Sequence, residues 1–405
     1  MTDETIKLTT MAHGGFALGR DKRNQPVFVA GGIPGEVVKV SIEKQGRRTE
    51  GRLLEVIKPA RERVKPRCAH FGVCGGCHFQ HIDYEAQLRY KTEMVRDQLQ
   101  RVGKLKKVKI RPIIPHSSPY NYRAELTFSP TKDGRLGLWS PSERRVIPIT
   151  ECPILHPELQ ALHKDIDLSL TDLRKLTMRI DDDGERLVAL EVNNVEPPEL
   201  AADFPVSVTI LFPDKTAATL IGEPFLYYTV KGHEFRVSSG CDYPVSPQMV
   251  PNLIDVIWQA TNFDGSEAVV DAYSGVGLLT AFLATRADAV VGIEINEDAI
   301  DDAAVNLEET DNVTLIMDSA ETILPTLPEA DVLVLDPPFE GISAEALRAI
   351  LAYAPRRIIY NSANLGAFAR DAFNLNKAGY RLIDIQPIDM QPQTYQVHTV
   401  SAWRK

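Results

Sequence analysis

From Ala268 onward, short apolar runs alternate with amphipathic stretches. Residues 268–270 are apolar and stop at Asp271, a glycine turn follows, and a helix-like stretch starts near Leu278. A second apolar run ends in another acid, Glu294. The pattern then predicts a helix over 297–309, a strand over 313–316 ending near Asp318, and a strand over 331–335 ending at Asp336. A helix over 344–354, a strand over 357–360 and a helix over 367–378 come next. Two strands, 381–385 and 397–403, close the chain with no helix between them. Five strand–helix alternations and a terminal hairpin predict an α/β unit with a seven-stranded sheet.

The other end of the chain carries a different period. Residues 26–30, 36–42 and 51–57 read as short strands punctuated by Gly-Gly, Pro-Gly and Gly-Arg-Arg, which predicts a small all-β barrel. Residues 83–101 read as a helix with Leu88, Val95 and Leu99 on one side. Strand-like alternation returns at 120–128, 134–139 and 144–148, so the centre is mostly β. The expected division is 1–60, 61–240 and 241–405.

Composition changes the picture only once it is divided. The 405 residues carry a net charge of −10, which taken whole argues against nucleic acid. Yet residues 1–110 hold 22 Lys and Arg against 12 Asp and Glu, and the remainder 23 against 43. A basic half beside an acidic one points to a polyanion partner, here RNA or DNA. Solvated basic surface is the competing explanation. No run of about 18 apolar residues and no signal peptide occur, so a soluble cytoplasmic protein without a membrane partner is expected. No obligate protein partner is evident.

Two groups of residues carry chemistry. In the first βαβ unit a ligand is expected over the carboxyl ends of the strands. Gly275 and Gly277 carry no Cβ and allow close backbone approach, and Glu294 suits a ribose diol. The G-x-G lacks a third glycine, and no G-x-x-x-x-G-K-[ST] loop is present, so a dinucleotide or nucleotide triphosphate is poorly provided for. The second group is Cys68-x5-Cys74-x2-Cys77. Three thiolates fall short of a four-ligand site, and Cys152 is the free candidate for the fourth. Zinc completed by His70 or His78 competes with an iron–sulfur cluster.

Asp271-Ala-Tyr-Ser-Gly-Val-Gly277 resembles the first motif of class I methyltransferases that bind S-adenosylmethionine. Residues 11–19 and 27–35 resemble the TRAM domain, an RNA-binding barrel of OB type, in which Arg47, Arg48 and Arg52 would contact phosphates. With the cysteine loop, Gln80-His-x-x-Tyr84-x-x-Gln87-Leu-x-x-Lys91 and the Tyr122-Arg123 strand, almost the whole chain resembles the iron–sulfur RNA (uracil-5-)-methyltransferases. The resemblance implies an OB-type barrel, a mostly β central domain carrying the iron–sulfur loop, and a Rossmann-like methyltransferase domain. It implies a 4Fe–4S cluster on Cys68, Cys74, Cys77 and Cys152, and ribosomal or transfer RNA as partner. It also implies S-adenosylmethionine contacts at Tyr273, Glu294, Asp318 and Asp336, beside Asp271, Gly275 and Gly277 of the first motif. Arg123, Arg144 and Arg145 are further candidates for RNA.

The chain departs from that family at the chemistry. Pro244 and Leu278 stand where two polar contacts to the methyl donor belong. Uracil C5 becomes nucleophilic only after a thiolate adds to C6, and a base then removes the C5 proton. Ala363 stands at the position of that thiol and His398 at that of the glutamate base. Cys241 is the one candidate for a relocated nucleophile, against the reading of a buried bystander. Where the family has Asp-Pro-Pro-Arg, this chain has Asp336-Pro-Pro-Phe339, which resembles the motif of methyltransferases acting on exocyclic amines. In such a site Asp336 accepts amine hydrogens and Phe339 stacks on a flipped-out base. Three readings follow: a methyltransferase on the uracil-5 scaffold, an amine methyltransferase, and a non-catalytic RNA-binding homologue.

Overall fold

The computed structural model describes residues 2–45, 48–166, 172–194, 204–214 and 216–405. The N-terminal strands β1 (Thr2–Ala12), β2 (Phe16–Arg20), β3 (Pro26–Ala30), β4 (Val37–Gln45) and β5 (Arg48–Lys58) close into a barrel of order β1-β2-β3-β5-β4. Alternation decides what lies inside: Leu8, Ala17, Val27, Val29, Val38 and Val40 are fully buried, while their strand neighbours face out.

The helix predicted over 83–101 is α1 (Tyr84–Arg101), opened by the Asp83 side chain accepting from the Ala86 amide. Its apolar stripe, including Ala86, Met94, Val95 and Leu99, packs into the same core as Leu365, Phe368 and Ala372 far along the chain. The central region is a seven-stranded sheet built from β6 (Glu125–Pro130), β7 (Leu136–Ser140), β8 (Arg145–Pro148), β9 (Leu173–Ile180), β10 (Arg186–Val192), β11 (Ser207–Leu211) and β12 (Ala217–Ile221). Helix α2 (Pro157–Asp165) covers it through Leu159 and Leu162.

The hairpin of β13 (Phe225–Val230) and β14 (His233–Ser238) shares a core with α3 (Val250–Thr261), which the apolar pattern did not reveal. Pro251 reads as a breaker, but in the first turn of a helix its missing N–H is not needed. Beyond it run β15 (Ala268–Ala272), α4 (Leu278–Ala284), β16 (Ala289–Glu294), α5 (Glu297–Asn306), β17 (Val313–Met317), α6 (Ala320–Ile323), β18 (Val332–Leu335), α7 (Ala344–Tyr353), β19 (Arg357–Ser362), α8 (Leu365–Lys377), β20 (Arg381–Ile388) and β21 (His398–Arg404). They form the expected seven-stranded sheet, of order β17-β16-β15-β18-β19-β21-β20. The first five strands are parallel, and β21 runs antiparallel to both neighbours. Strand order reverses between β15 and β18, which places a crevice at their carboxyl ends. No helix among the described residues is long and apolar enough to cross a membrane.

Candidate active site and cysteine cavity

The tips of β15 and β16 build the donor end of the crevice. Asp271 is fully buried and accepts from Thr280 Oγ1 at 2.6 Å, while its Oδ1 has no partner. Burial, then the charges of Asp336 and Glu294, push its carboxyl up to about 7. Glu294 accepts from the Gly275 amide at 2.9 Å and from the amides of Ile295 and Asn296 at 2.8 Å each. These bonds hold the acid at the strand tip. Tyr273 has φ +67°, a left-handed conformation that is strained for an aromatic residue.

The two glycines of the turn do different things. A Cβ on Gly275 would meet nothing within 4 Å, so this backbone faces open space. A Cβ on Gly277 would lie 2.9 Å from Leu307 Cδ1 and 3.2 Å from Ala303 Cβ. Gly277 is there so that α4 and α5 can approach. Packing alone therefore accounts for a glycine at 277, beside the sequence expectation that it serves a ligand. Asp318, half-buried at the end of β17, bonds its backbone N–H to the Glu294 carbonyl at 3.0 Å and accepts the Ser319 amide.

Across the crevice, β18 ends at the Asp336-Pro-Pro-Phe339 loop. Burial, opposed by a 2.9 Å bond from Asn361 Nδ2, pushes the Asp336 carboxyl up to about 7. Asn364 Nδ2 donates to the Phe339 carbonyl at 2.9 Å, and its Oδ1 caps α8 through the amides of Gly366 and Ala367. The helix starts two residues earlier than the pattern predicted because of this cap. The segment 361–364 thus buttresses the acidic loop from the side. Phe339 is 48% exposed. Ala363 is half-buried between the two asparagines. His398, at the start of β21, has an unpartnered Nδ1, and burial followed by Lys91 lowers its pKa to about 4. It is a neutral imidazole at pH 7.

Cys241 is not placed to act as a nucleophile. It is buried in the core of β13, β14 and α3, and burial together with Asp302 holds its thiol well above the usual range. That core lies on the hairpin side of the sheet.

The four other cysteines meet elsewhere. Cys68, Cys74, Cys77 and Cys152 line one small cavity together with Gln80 and Arg123. Each thiol is pushed up by burial first, Cys77 to about 12, and each feels the charge of at least one other cysteine. Gln80 Oε1 accepts the Cys68 amide at 3.0 Å and its Nε2 is unpartnered. Among the described residues no three His, Cys, Asp or Glu side chains are grouped as ligands of a single metal ion. His78 is not in the cavity wall but packs its ring on Tyr395, 4.7 Å between centroids. His70 lines the cavity with Nε2 turned to Thr150 at 3.1 Å.

The candidate RNA contacts are scattered. Arg123 lines the cysteine cavity and spends its Nε on the Glu125 carbonyl at 2.8 Å. Arg145 pairs with Glu143, and Arg144 and Arg52 are exposed. Arg48 lies over the rings of Phe16 and Phe28, 3.9 Å from each centroid. Arg47 lies outside the described residues.

Residues 4–49 match the TRAM domain family. An uncharacterized RNA methyltransferase of Halalkalibacterium halodurans is 33% identical over 98% of this chain and 95% of its own length. Another, from Caldanaerobacter subterraneus subsp. tengcongensis, is 30% identical over 98% and 96%. Among solved structures, the Pyrococcus abyssi tRNA (uracil-54, C5)-methyltransferase in complex with S-adenosyl-L-homocysteine superposes with a TM-score of 0.75 at 21% identity, covering 99% of this chain and all of that one. This likeness shows the fold. Barrel, sheet order and full-length identity together place the chain in the family of TRAM-containing RNA methyltransferases.

Proposed function

We propose that this chain transfers the methyl group of S-adenosylmethionine to an exocyclic amine of a base in RNA. The observation that carries the reading is the Asp336–Phe339 loop: an acid, an exposed ring and an asparagine brace at the crevice, with alanine where C5 chemistry needs a thiol. The donor site fits on three grounds. Gly275 opens onto free space, Asp271 Oδ1 is a buried acceptor without a partner, and Glu294 is held at the tip of β16. S-adenosylmethionine is also the source of the S-adenosyl-L-homocysteine bound by the Pyrococcus neighbour, a second support.

Bound S-adenosylmethionine supplies a methyl group activated by a sulfonium. The residues of this chain then divide the remaining tasks. Phe339 stacks on the base and keeps it out of the helix. Asp336, ionised, accepts a hydrogen of the amine, so that the nitrogen lone pair is aimed at the methyl carbon. As the N–C bond forms and the C–S bond breaks, the amine proton passes to Asp336 or to water. Asn361 orients the carboxylate throughout.

The four thiols fit a 4Fe–4S cluster. Cys68, Cys74, Cys77 and Cys152, which line one cavity without crowding a single point, would hold the cluster through their thiolates. Cluster assembly also suits the cytoplasm, where thiols stay reduced. Protein purified without oxygen should be brown, and a colourless product with stoichiometric zinc would sink this assignment.

The test of the main reading is incubation with methyl-labelled S-adenosylmethionine and bulk RNA, followed by digestion to nucleosides. Label in an N-methylated adenine, cytosine or guanine, lost in Asp336→Ala, is the expected result. Label in 5-methyluridine would overturn the amine reading. Bound RNA with no label would favour a non-catalytic homologue, which the replacements Ala363 and His398 also allow.

A further inference from the structure

Phe16 and Phe28 sit on the outside of the barrel. Their strand neighbours Ala17, Val27 and Val29 fill the inside, and the two rings are half-buried. In the β2–β3 register Phe16 pairs with Ala30 and Leu18 with Phe28, so the two phenylalanines are diagonal neighbours on one face. Diagonal side chains in an antiparallel pair stand about 7–8 Å apart, twice the thickness of one flat π-system. A slot of that width takes a single planar group.

Here that group is the guanidinium of Arg48, delivered by β5 two residues before Glu50, which pairs with Phe28. Arg48 is poorly provided for in the slot. Among the described residues its Nε and Nη2 have no hydrogen-bond partner, and its ion pair with Glu50 is a long one, 3.7 Å from Nε. A buried donor without a partner costs free energy, so this occupant is one that a better-fitting plane can displace. Glu50 beside the slot disfavours a phosphate there, whereas the face of a neutral base is indifferent to it. The turn that leads into the slot touches the segment that braces the Asp336 loop. Three residues before Phe16, His13 reaches α8 so closely that a Cβ on Gly366 would lie 3.1 Å from its Nε2, and it packs on Tyr395.

We propose that Phe16 and Phe28 form a nucleobase slot for unpaired RNA next to the target nucleotide, plugged by Arg48 in the free protein. Stacking between two rings holds any base by its π-face, so the slot positions the strand without reading sequence. The proposal rests on RNA being the substrate, and its readout is binding, independent of methyl transfer.

The test uses the full chain and single-stranded RNA of about 12 nucleotides, a length within the reach of such barrels. The fluorescent base 2-aminopurine is placed at each position in turn. Wild type should quench one position on binding. Phe16→Leu and Phe28→Leu should lose that quench and weaken binding roughly 5- to 100-fold, the size of one lost stack. Phe16→Tyr and Phe28→Tyr keep the rings and should keep the quench. Arg48→Ala should also keep it, since the plug is gone and the slot remains. Wild-type binding and quenching in both leucine variants would overturn the proposal. So would an Arg48→Ala variant that loses quench and affinity as the leucine variants do, because Arg48 would then be the RNA ligand.

Discussion

At the scale of single residues, two carboxyls decide the behaviour of the site. Asp336 and Asp271 are both pushed up to about 7, chiefly by burial. Asp336 accepts an amine hydrogen only when ionised, so methyl transfer should rise as pH passes through 7 and then level off. A rate that is flat from pH 5.5 to 8.5 in single-turnover assays, over roughly this range of titration, would remove Asp336 from that role. Stability runs the other way. A carboxyl raised in the folded state binds its proton more tightly folded than unfolded. Its contribution is therefore fully present below the ordinary value of 3.8 and is lost as pH rises towards 7. Asp271→Asn, which can still accept from Thr280, should flatten the decline in urea midpoint between pH 5 and 7, about where the group titrates. The acids themselves were legible in the sequence because each ends an apolar run. Their protonation was not, since burial and the approach of one acid to another exist only in the folded crevice.

At the scale of elements, the glycine turn between β15 and α4 separates binding from packing. Gly277→Ala drives a Cβ into Leu307 and Ala303 at a φ of +81°, and should cost about 1–3 kcal/mol of stability in denaturant melts. Gly275→Ala meets open space at a φ of +55° and should cost about 1 kcal/mol, while weakening donor binding by calorimetry far more than Gly277→Ala does per unit of stability lost. The reverse ranking would mean that the donor does not lie over Gly275. Sequence spacing shows two glycines and cannot tell which faces a ligand; the answer depends on where α5 comes to rest. Helix α3 was missed for a related reason. Its proline reads as a breaker until its place in the first turn is known.

At the scale of the molecule, the connection between β20 and β21 ties the cysteine loop to the crevice. The amides of His78 and Phe79 both donate to the Gln393 carbonyl, at 2.8 and 2.9 Å, and Gln87 exchanges two 3.0 Å bonds with Gln393. Tyr122 donates to the Pro392 carbonyl at 3.0 Å. Removing one of the four thiols should therefore be felt at 389–396: Cys152→Ser should raise hydrogen exchange there beyond any change in the barrel. Unaltered exchange in that connection would show that the loop and the crevice are uncoupled. Nearby, Lys91 and Asp389 form a 2.6 Å ion pair with both side chains fully buried. Lys91→Met strands a buried acid and should cost about 3–5 kcal/mol in denaturant melts. Replacing both partners by apolar residues should recover much of that.

Periodicity and spacing carried the α/β sheet, the barrel and the strand-end acids, because each depends on local backbone geometry and on which side of an element is apolar. The same spacing brought out the glycine turn and the cysteine run, whose residue types limit the chemistry open to them. Other features depend on distant segments meeting. The four thiols share a cavity only because 68–77 folds against Cys152. Cys241 is excluded as a nucleophile by the core around it, and Arg48 lies between two rings because β2, β3 and β5 close a barrel. No local pattern records such contacts; burial, pairing and crowding arise when the chain packs.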